Sequence, residues 1–138
     1  MISWKRHLGA AGVVAGALLL ARLTRYEIAE KSMGPGLAPG DWVLGIRHPR
    51  EIAAGDIVVL KMPDRPGFEI VKRVAAVGGD TLDTPDGIRT VGAEDVWVLG
   101  DDPAAGSVDS RHFGPVARNS VTAKVVWRYK PLPVTRIG

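Results

Sequence analysis

Cysteine is absent from this chain of 138 residues, which removes thiol catalysis, disulfides and thiolate metal sites together. Histidine is scarce: His7, His48 and His112 lack metal-ligand spacing, so no metal is expected and a Ser-His-Asp arrangement is unnecessary. Acidic residues are missing from positions 1–23, where Lys5, Arg6 and Arg22 are the only charges. The remainder then holds 15 basic and 15 acidic residues, so the formal charge of +3 belongs to the N-terminus. With a neutral body, no basic stripe and no helical reader module, a nucleic-acid partner is not expected. Repeats and low-complexity tracts are absent as well, and no stretch of helical period and useful length follows residue 24. The length leaves room for one domain with a modest core.

What is present begins with an apolar run, Leu8–Ala21 (LGAAGVVAGALLLA), between Lys5, Arg6 and His7 on one side and Arg22 and Arg25 on the other. A spanning helix takes roughly 17–25 residues, so this run is short. Snorkelling by Arg22 and an interfacial Trp4 lengthen its effective span. A cleaved secretory signal and a buried or interfacial helix compete with this reading, but the exit ARLTRYE lacks the small-residue cleavage pattern. Residues 1–24 therefore read as a retained, single-pass membrane anchor in contact with lipid. Lys5 and Arg6 favour an N-in, C-out orientation, and Arg22 and Arg25 oppose it.

Beyond the run the chemistry changes. WVLGI (42–46), DIVVLKM (56–62), FEIVKRVAAV (68–77), IRTV (88–91), DVWVLG (95–100) and VTAKVVWRY (121–129) are rich in Val, Ile, Trp and Tyr. Gly, Pro and Asp breakers separate them, the spacing of an all-β sandwich or barrel. Gly40-Asp41 and Gly55-Asp56 are tight-turn pairs. Residues 25–130 are expected to form this domain, and 131–138 (PLPVTRIG) to fray.

Two residues stand out chemically. Lys72 shares a strand face with Ile70 and Val74, where a charge is anomalous, whereas Arg73 points the other way. Apolar burial penalises an ammonium and lowers its pKa, and a neutral lysine is a base able to activate a serine hydroxyl such as that of Ser32. Taken singly, Lys72 reads as an exposed edge-strand lysine and Ser32 as a turn serine.

Four blocks in order set the pair in context. Ser32, Met33, Pro35, Leu37, Gly40 and Asp41 form the first, and Gly55, Asp56, Ile57 and Val58 the second. Lys72, Arg73, Gly79 and Asp80 form the third; Gly100, Asp101, Ser107, Asp109, Ser110, Arg111 and Gly114 form the last. This pattern resembles the type I signal peptidases over Ser32–Gly114, and the lack of an inserted second β-domain resembles their compact members, including mitochondrial inner-membrane peptidases and nickel superoxide dismutase maturation peptidases. The resemblance implies a compact β-domain of the signal-peptidase and LexA type, with Ser32 as nucleophile, Lys72 as general base and Ser107 orienting the amine. Asp101, Asp109 and Arg111 would support the site, with Met33 and Arg73 beside the dyad; no metal or organic cofactor is implied. Substrates would be precursor proteins with N-terminal signal peptides, cut after small residues by a domain on the extracytoplasmic side of the cell membrane.

Three departures mark this chain. Glu30 stands where many members have a serine or glycine, leaving a second oxyanion donor unassigned. Gly36 replaces a threonine, and Asp102-Pro103 with one extra residue precedes Ser107. The alternatives are a maturation peptidase for one precursor, a self-cleaving regulator of the LexA type, and a catalytically inactive membrane-tethered β-module.

Overall fold

The computed structural model describes residues 5–138. Helix α1 (Lys5–Ala21) leads directly into β1 (Leu23–Glu27), so the first strand begins inside the segment expected to be anchor. At 17 residues α1 is about 26 Å long, against a hydrocarbon layer of about 30 Å. No helix among the described residues is long and apolar enough to cross a membrane. The role expected for Trp4 lies outside the described residues.

The rest is mostly β, consistent with the expected all-β domain, with short helical turns between the later strands. Strands β2 (Trp42–Arg47), β3 (Ile57–Lys61), β4 (Glu69–Val77), β7 (Asp95–Leu99) and β9 (Val121–Lys130) coincide with the apolar runs. They join β1 and β8 (Val116–Ala117) in one antiparallel sheet of order β1-β2-β9-β3-β4-β7-β8, while β5 (Thr81–Thr84) and β6 (Gly87–Thr90) form a separate hairpin. The tail does not fray. Strand β10 (Thr135–Arg136) pairs with β9, the Ile137 N–H donates to the Val126 carbonyl (2.9 Å), and its side chain packs on the core.

The centre of the sheet explains the position of the site. Residues 57–60 of β3 are all buried because both faces of that strand are covered. Val58 and Leu60 join Ile70, Val74, Val96 and Val98 in one cluster; Ile57 and Val59 join Met33, Leu37, Val43 and Val125 in another. Strand β4 is hydrogen-bonded to β3 on one side and β7 on the other, so Lys72 lies on an interior strand and not at an edge.

Candidate active site

The segment bearing Ser32 connects β1 to β2 and is anchored by its own apolar residues. Met33 and Leu37 are each 1% exposed, and the Leu37 N–H donates to the Met33 carbonyl at 3.0 Å. At the base of this loop Ile28 and Asp41 are bonded through N–H of Ile28 and C=O of Asp41 at 2.8 Å. Gly40 there has φ +90°, which a side chain resists, and the Asp41 carboxylate accepts from the Ala38 N–H at 3.0 Å. Asp56 closes the turn before β3 in the same way, accepting from the Ala53 N–H at 2.9 Å.

Alternation along β4 brings Lys72 to the buried face with Ile70 and Val74. Its side chain is 1% exposed and its Nζ lies 2.7 Å from Ser32 Oγ, forty residues away in sequence. Ser32 is buried too. Burial pushes the Lys72 ammonium below the ordinary lysine pKa; Glu30 and Asp109 pull it back up, and Arg111 pushes it down.

Ser107 behaves differently from expectation. Its hydroxyl is buried and has no hydrogen-bond partner, so it does not hold the Lys72 amine. Its side chain lies instead against Gly100: a β-carbon there would stand 2.5 Å from Ser107 Oγ and 2.9 Å from the Ser32 carbonyl oxygen. Gly100 is thus where the loop after β7, the serine loop and the Ser107 segment meet. Gly100→Ala is expected to lower kcat/KM at least tenfold by pushing these three segments apart, since an ångström-scale misplacement costs about that much or more. An unshifted Ser32–Lys72 separation and unchanged peptide-cleavage kinetics in this variant would contradict that placement.

The remaining candidates form two braces. Arg73 clasps Asp101 through two bonds of 2.8 and 2.7 Å and donates to the Gly55 carbonyl at 2.7 Å, tying β4 to the turns on either side. Asp109 is wholly buried and accepts from the Gly100 N–H (3.0 Å), the Arg111 N–H (3.1 Å) and the Arg111 guanidinium (3.0 and 2.7 Å). Burial works to raise its pKa, but the bonds from Arg111 and the Gly100 N–H outweigh this and hold it at about 2. It also caps α2 (Ser110–Phe113).

Two details were not legible beforehand. Ser110 Oγ accepts from the buried Val98 N–H at 2.9 Å, fastening the last block to β7. The Asp102 N–H donates to the Ser32 carbonyl at 2.9 Å, so the departure at Asp102-Pro103 leaves the serine loop tied through backbone. The only forewarning was that these residues sit in the block containing Ser107. Glu30, whose orientation the sequence leaves open, is exposed and stands on the wall of both clefts that reach Ser32. No cluster of metal-ligating residues occurs among the described residues.

The family model described as "Signal peptidase, peptidase S26" matches residues 1–88 and 81–130. The chain belongs to that family. Mitochondrial inner membrane protease subunit 2 of Schizosaccharomyces pombe is 36% identical over 109 residues, covering 72% of this chain and 60% of that protein. Its namesake in Saccharomyces cerevisiae is 32% identical over 118 residues, covering 73% and 66%. Mitochondrial ATP-independent inner membrane protease subunit 1a of Arabidopsis thaliana is 34% identical over 137 residues, covering 86% and 81%. The chain thus spans less than two thirds of the length of the two yeast relatives.

Proposed function

We propose that this chain is a membrane-bound serine endopeptidase that removes N-terminal signal or targeting peptides from precursor proteins, with Ser32 as nucleophile and Lys72 as general base. The observation that carries this reading is the buried 2.7 Å contact between Lys72 Nζ and Ser32 Oγ. In that position a neutral amine takes the hydroxyl proton as Oγ attacks the scissile carbonyl, then returns it to the leaving amine. The same amine next deprotonates the water that hydrolyses the acyl-enzyme. The Ser32 N–H is one donor to the oxyanion; a carboxylate at Glu30 has no hydrogen to offer as another.

Helix α1 supports the membrane part of the reading. Val13, Val14, Leu18, Leu19 and Leu20 are all more than half exposed, an apolar surface that lipid would cover. Arg22 at its end donates to the Arg47 carbonyl (2.9 Å), joining the anchor to the β-domain.

Cleavage of a panel of secretory precursors by the detergent-solubilised chain, beside Ser32→Ala, tests the function. Cutting by the parent and none by the variant is the expected result; equal cutting by both would refute it. A second expectation concerns pH. Because the Lys72 pKa is depressed and only the free amine acts, activity should rise with pH along a limb below the ordinary lysine value. A kcat/KM profile flat from about pH 6 to 10 would remove Lys72 from the role of base.

A further inference from the structure

Ser32 opens onto two clefts that share Glu30 and Ile70 as a dividing wall. The first, about 290 Å³, has a floor that includes Ile28, Met33 and Ile70 and a rim of Glu27, Glu30 and Glu69; no lysine, arginine or histidine lines it. The second, about 370 Å³, is mixed in charge, lined by Lys31 and Arg65 as well as Glu30. It also carries the buried Ser107 hydroxyl, whose hydrogen-bonding capacity is unspent.

Among the described residues the rim carboxylates form no ion pair of their own, although Glu30 acts on the Lys72 ammonium through space. Glu69 receives only the Thr122 hydroxyl at 2.8 Å. Of the cations nearby, Lys72 is engaged on Ser32 and Arg65 lies over the Phe68 ring at 4.2 Å, while Lys61 stands opposite Glu69 across the β3–β4 pair without an ion pair. An apolar floor below three unpaired carboxylates matches a side chain with a long aliphatic stem and a cationic head.

We propose that Glu30 is a specificity-determining residue which, with Glu27 and Glu69, makes the first cleft a subsite for a lysine or arginine side chain of the precursor, next to the scissile bond. This inference rests on the Ser32–Lys72 reading and adds a substrate class to it. It leaves room for a small residue at the cut itself, because the cation enters a cleft to one side of Ser32. The attraction is solvent-exposed, so each carboxylate contributes modestly, and the preference weakens as salt rises.

The test is a set of peptides identical except for Lys, Gln or Glu placed in turn at each position flanking the cut. Both cleavage by the parent and fluorescence-anisotropy binding to Ser32→Ala are read. At one position the Lys peptide should be cut about tenfold better than the Glu peptide at low salt. Glu30→Gln should shrink that ratio to about threefold or less, and Glu30→Lys should invert it. Cutting without charge preference at any position, or a preference that Glu30→Gln leaves intact, overturns the inference while leaving the peptidase reading standing. If nothing is cut, the peptidase reading fails. Binding to Ser32→Ala then decides the subsite: selective capture of the Lys peptide, lost on Glu30→Gln, upholds it, and equal binding of all peptides overturns it.

Discussion

Lys72→Met should abolish cleavage, by about a thousandfold or more, while leaving the fold as stable as the parent or more so. The loss follows from the chemistry: general-base assistance is worth about 10² to 10⁴, and members of a nucleophile-base unit fail together. The gain in stability follows from burial. A lysine that is 1% exposed must either bury an ammonium or give up its proton at a cost in free energy. Methionine fills nearly the same volume without that cost. The sign can be checked through pH. The Lys72 pKa is lowered in the folded state, so between that value and the unfolded value of 10.5 the unfolded chain binds more protons. Stability from this group therefore rises with pH across that window, and the slope should vanish in Lys72→Met. Thermal unfolding at two alkaline pH values, beside a cleavage assay, measures both effects. A variant that unfolds much earlier than the parent would mean that Lys72 is a structural cation, and the dyad would lose its physical basis.

How much of this was legible in the sequence depended on which forces act locally. The long strands were, because β3 and β9 are built from β-branched residues whose burial is continuous or alternating. Strand β1 was not: LTRYE is short, half-exposed and polar, and it forms at the sheet edge because β2 offers it a partner. The hairpin strand β5 and the two-residue β8 and β10 escaped for the same reason. In PLPVTRIG the prolines argued for fraying, yet Ile137 finds a place on the second core cluster and holds the tail down. The burial of Lys72 could be read from the period of two on β4, since Ile70 and Val74 flank it on one face. The fate of the Ser107 hydroxyl could not. It depends on the path of the loop after β7, which Gly100 permits and Asp109 fixes from a distance that no short pattern records.

That fixing role gives Asp109→Ala the largest expected effect on stability, a loss of about 2–4 kcal/mol, from backbone donors left without a partner and the void of a buried side chain, the exposed Arg111 guanidinium being solvated by water. Removal orphans the Gly100 N–H and the Arg111 N–H at once, and leaves a void where a wholly buried side chain stood. Against a total of about 5–15 kcal/mol for a domain of this size, that is a large fraction. Activity should fall further than stability alone predicts. Gly100 would lose its tether, and Gly100 is the surface on which Ser107 and the Ser32 carbonyl rest. A pH signature separates the electrostatic part from the packing part. The Asp109 pKa is depressed from 3.8 to about 2, so its contribution is complete above the unfolded value and is lost as pH falls toward 2. Acid unfolding of the parent should therefore steepen across that interval, and Asp109→Ala should lack that part of the slope. Asp109→Asn keeps the shape and some of the acceptor capacity without the charge; it should recover part of the stability and none of the acid dependence. If Asp109→Ala melts within about 1 kcal/mol of the parent, the loop is held by the Ser110–Val98 bond and the Arg73–Asp101 clasp instead, and Asp109 is not the residue that sets Gly100 under the serine.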